Sequence, residues 1–172
     1  MNITLLCLDV DGVMTDGSIM LDDHGVETKR FHVRDGAGIR MWLTLGYHVA
    51  IITGRSGDVV KHRARELGIE HVIQGSKDKG ESFRQLMTTL DLQPEHAAMI
   101  GDDIPDLPLL RMVGYPIAVA DAAVEVRDLA SYVTNERGGH GAVREAIEHL
   151  LNKKGQWQQA VEQFEVRQGT SG

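Results

Sequence analysis

Cysteine is almost absent: Cys7 is the only one, and it sits inside an apolar run. The chain therefore has no disulfide framework, and that thiol reads as a small core residue suited to a reducing compartment. Basic residues are also few, 18 against 25 acidic ones, for a formal net charge of -7. With no long basic run, a nucleic-acid partner held by phosphate contacts is excluded, and an anionic substrate would need a local positive site. No apolar run approaches the roughly 18 residues of a membrane span, and the amino terminus enters a strand-like run without a signal-type segment. A cytoplasmic protein with no membrane partner is the expectation. Eight histidines show no zinc-ligand spacing, and seven methionines are scattered as core filling.

The stretch that is present and organises the rest is Leu5 to Val13, Leu-Leu-Cys-Leu-Asp-Val-Asp-Gly-Val. An apolar strand stops abruptly at Asp9 and Asp11, with Gly12 turning the chain. Two converging carboxylates repel unless a cation lies between them, and magnesium takes such hard oxygen ligands while leaving places for water and phosphate. Simple strand termination is the competing reading of this stretch by itself.

A length of 172 residues with 42% hydrophobic and 25% charged residues fits one domain with a sizeable core. Strand-like runs at Leu5 to Leu8, His48 to Thr53, His71 to Ile73, Ala97 to Ile100, Ile117 to Val119 and Tyr132 to Val133 alternate with helical patterns. Among the latter are Ile39, Trp42, Leu43 and Gly46; Val60, Ala64 and Leu67; and Phe83, Leu86, Met87 and Leu90. This alternation predicts an α/β fold, a doubly wound, mostly parallel (Rossmann-like) sheet with its ligand beyond the strands' carboxyl ends. Ser18 to Leu21 and Val26 to Val33 flank Asp22-Asp23-His24-Gly25, which predicts a β-hairpin inserted after the first strand. Because an isolated hairpin is marginal in water, it should pack on something, another subunit being the expected surface. The main domain is expected over residues 1–151. Residues 152–172 would add one amphipathic helix through Trp157, Ala160, Val161 and Phe164, then a loose tail from Gln168 to Gly172.

Polar residues at the strand ends carry the remaining signal. Thr53-Gly54-Arg55-Ser56 leads into a helix near Asp58 to Leu67, where it could hold a phosphate oxygen or merely supply an N-cap. Lys77 and Lys79 precede the next helix, either as surface lysines or as the local positive charge. Gly101-Asp102-Asp103-Ile104-Pro105-Asp106 brings three more acids, of which Asp103 can cap a helix begun at Pro105. Capping alone does not use all three.

Taken in order, Asp9-Val10-Asp11-Gly12-Val13, Thr53-Gly54, Lys79, and Gly101-Asp102-Asp103 with Asp106 resemble the four motifs of the haloacid dehalogenase superfamily of phosphotransferases. The short length, a hairpin instead of a separate cap domain, and Asp11-Gly12-Val13-Met14-Thr15-Asp16-Gly17 look like its capless tetrameric subfamily, which acts on phosphorylated keto-sugar acids. The resemblance extends through Arg137-Gly138-Gly139-His140-Gly141-Ala142-Val143-Arg144-Glu145. It implies that Asp9 is a nucleophile forming an aspartyl phosphate and Asp11 an acid and then a base. It further implies Mg2+ on Asp9, Asp11 and Asp102, with Asp103 and Asp106 supporting them, and phosphate on Thr53, Gly54 and Lys79.

The implied reaction is hydrolysis of 3-deoxy-D-manno-octulosonate 8-phosphate, feeding lipopolysaccharide, with hydrolysis of a nonulosonate 9-phosphate in sialic-acid-type metabolism as the alternative. Asp35, Arg55, Arg137, Gly139 and His140 are candidates for specificity, in a homotetramer with sites near subunit interfaces. The Arg137 to Gly141 segment reads equally as a connection to the following helix. Two other classes share some of these features. A receiver-type signalling module would need its acceptor aspartate on a middle strand, yet His71 to Ile73 ends in Gln74-Gly75. A catalytically silent tetramerising domain would have no use for Asp9, Asp11, Lys79 and Asp102.

Overall fold

The structure is a computed structural model that describes residues 2–169. Its first half contains β1 (Leu5–Leu8), β2 (Met20–Leu21), β3 (Glu27–Thr28), α1 (Val33–Thr44), β4 (His48–Ile52), α2 (Asp58–Leu67), β5 (His71–Ile73) and α3 (Lys79–Leu90). There follow β6 (Ala97–Gly101), α4 (Leu107–Leu110), β7 (Tyr115–Ala118), α5 (Val124–Leu129), β8 (Tyr132–Val133), α6 (Ala142–Lys153) and α7 (Trp157–Gly169).

Six strands form one sheet in the order β5-β4-β1-β6-β7-β8, and every pairing is parallel. β1 lies inside it, with Leu5 opposite both His48 and Ala97 and all four side chains buried. Continuous apolar runs are what a strand buried on both faces requires, and each such side chain contributes about 1.5–3 kcal/mol by leaving water. From β1 the chain steps outward to β4 and β5, then returns across the sheet to β6 and steps the other way. The order therefore reverses between β1 and β6, where a crevice opens beyond the strand ends.

Helices cover both faces. α1 packs with α2, α6 and α7, whereas α3 packs with α4, and right-handed crossovers put the two groups on opposite sides. Trp42 on α1 is fully buried and donates from Nε1 to the His48 carbonyl at 3.0 Å. Gly38 admits α6 to α1: a Cβ there would lie 3.0 Å from Arg144 Cδ. α7 closes over the same face through buried Ala160 and through Trp157, whose ring lies under the Arg144 guanidinium, 4.9 Å from the ring centre. No helix among the described residues is long and apolar enough to cross a membrane.

Several local expectations need correction. The hairpin pairs only Met20 with Thr28 and Leu21 with Glu27. Its turn is held by Asp22 Oδ1, which accepts from His24 and Val26 N–H at 2.9 and 2.8 Å. Val33 is the first residue of α1, not the end of a strand, and Gly46 lies beyond that helix at φ 82°. α5 was not anticipated, being too short for a periodic signal. α7 runs past Gln168 to Gly169, and residues 170–172 of the expected tail lie outside the described residues.

Candidate active site

The turn after β1 carries Asp9 and Asp11 to the crevice. Asp9 N–H donates to the Ile100 carbonyl at 3.3 Å, tying the end of β1 to β6. Gly12 has φ 89°, and a Cβ there would run into the Asp102 carboxylate. Only glycine allows the two acid-bearing turns to approach this closely. After β6, Asp103 and Asp106 cap each other's backbone around a 3₁₀ turn containing Pro105. Asp106 is 1% exposed, and its Oδ2 accepts from Asp102 N–H at 2.9 Å.

Lys79 opens α3, which Asp78 caps by accepting from Glu81 N–H at 3.0 Å. Its ammonium donates to Asp106 Oδ1 at 2.6 Å and lies 2.9 Å from Asp9 Oδ1. Lys77 points to solvent, whereas Lys79, the lysine that the motif order singled out, is buried in the cluster. Thr53 is buried at the end of β4, with its N–H on the Ile73 carbonyl and its own carbonyl on Ser76 N–H. Neither Thr53 nor Ser56 caps α2. That place belongs to Gly57, whose N–H donates to Gln74 Oε1 at 2.7 Å.

A cavity of about 310 Å³ brings together Asp9, Asp11, Thr53, Gly54, Arg55, Lys79, Asp102, Asp103 and Asp106. Oxygens of Asp9, Asp102 and Asp106 come within 4.8 Å of one another. Burial, reinforced by the charge of Asp106 and opposed by Lys79, pushes Asp9 up to about 6. Burial and then the charges of Asp106, Asp9 and Asp103 push Asp102 up to about 8. For Lys79, burial works against the ammonium, but Asp9 and Asp106 outweigh it and hold its pKa above the ordinary lysine value. One ammonium thus faces three carboxylates, and the cluster is short of positive charge.

The donor set fits a hard divalent cation. Asp9 Oδ1 is buried without an aligned hydrogen-bond donor, its contact with Lys79 being an ion pair only. The Asp102 carboxylate accepts no hydrogen bond from the described residues, whereas Asp106 commits both oxygens to Lys79 and the Asp102 backbone. Asp9 and Asp102 are therefore the available ligands and Asp106 their support, although all three are close enough to share an ion.

The specificity candidates divide. Arg55 lines the cavity, 3.6 Å by its Nε from Asp11 Oδ2. Asp35 does not: it is buried beneath α6 and accepts from Arg144 N–H at 2.8 Å, an anchor between two helices. Arg137 is exposed beside Asp121, and His140 lines a different cavity of about 430 Å³ with Arg34, Arg144 and Glu145. Gly139 supports the site from behind, donating to the Val13 carbonyl at 2.9 Å with φ 70°. Sequence reasoning missed Lys29 and Glu27. Lys29 is buried and bonded through its ammonium to Asp11 Oδ1, and Glu27 Oε1 accepts from Arg55 Nη2 at 2.6 Å. Alternation through β3 and the residue on either side of it was the available signal, since Glu27 and Lys29 share one side while Val26 and Thr28 face solvent.

A parallel sheet that gathers a buried acid, a second acid, a hydroxyl, a buried lysine and a metal-competent carboxylate at its switch point has the parts of a phosphoryl-transfer hydrolase. Residues 68–147 match the family described as haloacid dehalogenase-like hydrolase. The 3-deoxy-D-manno-octulosonate 8-phosphate phosphatase of Yersinia pestis is 49% identical over 150 residues, 87% of this chain and 80% of that protein. Its counterpart in Escherichia coli K12 is 47% identical over 92% of this chain and 85% of its own length. The crystal structure of the Moraxella catarrhalis phosphatase of the same name, with magnesium ion, phosphate ion and KDO, matches with TM-score 0.92 and 41% identity. That match covers 95% of this chain and 94% of the other. The chain belongs to the haloacid dehalogenase-like hydrolases, in the family of the 3-deoxy-D-manno-octulosonate 8-phosphate phosphatases.

Proposed function

We propose that this chain is a magnesium-dependent phosphatase that hydrolyses the phosphate monoester of 3-deoxy-D-manno-octulosonate 8-phosphate in the cytoplasm, yielding the free sugar acid for lipopolysaccharide synthesis. The observation that carries this reading is the buried cluster of Asp9, Lys79, Asp102 and Asp106 at the switch point. Its support is the family membership, including a relative whose crystal structure holds magnesium ion, phosphate ion and KDO.

In this mechanism the Asp9 carboxylate attacks phosphorus, the bond to the sugar oxygen breaks, and an aspartyl phosphate forms. Asp11 gives the departing oxygen a proton and then takes one from the water that hydrolyses the aspartyl phosphate. Thr53, the Gly54 N–H and Lys79 receive the phosphoryl oxygens, where charge stabilisation dominates this chemistry. Asp9, Asp102 and the Asp11 backbone carbonyl would hold Mg2+, backed by Asp103 and Asp106. When bound, the ion offsets the repulsion between nucleophile and phosphate. Arg55, which lines the cavity, would meet the substrate's own carboxylate.

Exposed Ile19, Met20, Leu21 and Val26 on the hairpin supply an apolar contact for further copies, and a homotetramer with sites near its interfaces is the assembly we propose. Light scattering at micromolar concentration tests it, and a monomeric mass would refute it. The function is tested by phosphate release from the eight-carbon ester beside a nonulosonate 9-phosphate and glucose 6-phosphate, with and without magnesium. Preferred, magnesium-dependent turnover of the eight-carbon ester is the expected result. Preference for the nine-carbon ester would keep the mechanism and replace the substrate.

A further inference from the structure

Four charges of alternating sign close a ring around the second acid of the site. Asp11 Oδ1 accepts from Lys29 Nζ, and the same ammonium donates to Glu27 Oε1 at 3.2 Å. Glu27 Oε1 also accepts from Arg55 Nη2 at 2.6 Å, and Arg55 Nε lies 3.6 Å from Asp11 Oδ2. Three segments meet here: the turn after β1, strand β3 and the loop after β4. The Lys29 side chain is 2% exposed. A lysine so buried loses its hydration, and only well-placed carboxylates offset that cost, which distinguishes this pair from a screened surface contact.

Lys29 and Glu27 do not line the cavity that holds Asp9 and Lys79. Whatever they contribute to the reaction therefore passes through Asp11 and Arg55. Without Lys29, the Asp11 carboxylate keeps only the Arg55 Nε contact, which is too long for a hydrogen bond, and its oxygens are free to rotate. Proton transfer to a leaving oxygen demands hydrogen-bond geometry at the moment of bond breaking, so a rotating carboxylate loses rate before it loses binding.

We propose that Lys29, braced by Glu27, is a positioning residue that fixes the Asp11 carboxylate for proton delivery, making hairpin strand β3 part of the catalytic apparatus of its own chain. The proposal rests on the assignment of Asp11 as acid and base. If Lys29 served folding alone, its loss would slow every substrate alike.

The test compares kcat/KM for the eight-carbon sugar ester and for p-nitrophenyl phosphate in the full-length wild type, Lys29→Met, Lys29→Arg and Glu27→Gln, with magnesium saturating. This parameter covers the steps through phosphoryl transfer to Asp9. The nitrophenolate departs without a proton, while the sugar oxygen needs one. Lys29→Met should lower kcat/KM for the sugar ester by about 10- to 100-fold and for the aryl ester by no more than about threefold. Inhibition by inorganic phosphate should be unchanged, and Lys29→Arg should restore part of the loss.

Equal losses on both esters, or none on the sugar ester, overturn the proposal. Should Lys29→Met fail to fold, Glu27→Gln decides by the same comparison, with a smaller but equally selective loss. Should the wild type ignore the aryl ester, a fall in kcat with unchanged phosphate inhibition supports the proposal, and a rise in KM alone overturns it. A wild type inactive on both esters refutes the phosphatase reading itself, a result distinct from variants that lose both activities in parallel.

Discussion

Asp106 accepts a 2.6 Å hydrogen bond from Lys79 in a place where both side chains are almost wholly buried. Removing the acid takes away the shorter of the two carboxylate contacts of Lys79, leaving Asp9 at 2.9 Å, and the acceptor of the Asp102 N–H. Asp106→Ala should cost about 1.5–3 kcal/mol and lower the melting temperature by on the order of 5 °C. Asp106→Asn, which keeps an acceptor for the Asp102 N–H, should cost less. Calorimetry of both variants checks the order, and equal melting points for Asp106→Ala and the wild type would refute it.

Asp9 offers the cavity a carboxylate whose Oδ1 has no aligned hydrogen-bond donor. As the proposed nucleophile it has no substitute within the cluster. Asp9→Asn should reduce kcat by about ten-thousandfold or more, with the fold intact, as measured by phosphate release and circular dichroism. Retention of a tenth of the activity would remove Asp9 from that role.

Asp9 at about 6 and Asp102 at about 8 both lie above the ordinary value of 3.8. The folded chain thus binds these protons more tightly than the unfolded one. Their contribution to stability is fully present below about pH 4 and is lost as pH rises toward 8. Chelator-treated protein should therefore melt lower at pH 8 than at pH 5, by on the order of 5 °C. Millimolar magnesium should restore more at pH 8, where protons no longer compete for the carboxylates. Asp102→Asn should flatten the pH dependence and remove the magnesium response. A magnesium increment that is larger at pH 5 would contradict the assignment.

Gly138 packs against the turn that carries Asp11, and a Cβ there would strike the Gly12 carbonyl oxygen. Its neighbour Gly139 binds the Val13 carbonyl of the same turn. Gly138→Ala should cost about 1–3 kcal/mol by overpacking and lower kcat along with the melting temperature. An alanine variant with wild-type stability and rate would show that the turn does not depend on this contact.

The positions of β1, β4 and β6 were legible in the sequence because strands buried on both faces must be nearly continuous apolar runs. Asp9, Asp11, Thr53 and Asp102 were legible as polar residues where those runs stop, at the end of the sheet where ligands bind, and Lys79 as the lysine at a helix start that fits the motif order. The hairpin was legible as an element but not as a surface. Its strands turn charged Glu27 and Lys29 inward and apolar Met20, Leu21 and Val26 outward, the reverse of the usual rule that apolar residues face in.

Sequence by itself determined the alternation of strands and helices, the single aspartate-rich edge and the family, because these follow from local pattern and motif order. Tertiary structure alone decided which partners those residues keep. It paired Lys79 with Asp106 and Asp9, turned Asp35 from a specificity candidate into the anchor of α6, and spent both oxygens of Asp106 inside the protein. It also brought Lys29 to Asp11, a contact between residues 18 positions apart. The physical reason is common to all four: a charge is buried only where an opposite charge or a backbone donor from another segment meets it. That meeting is a property of packing, which no local pattern encodes.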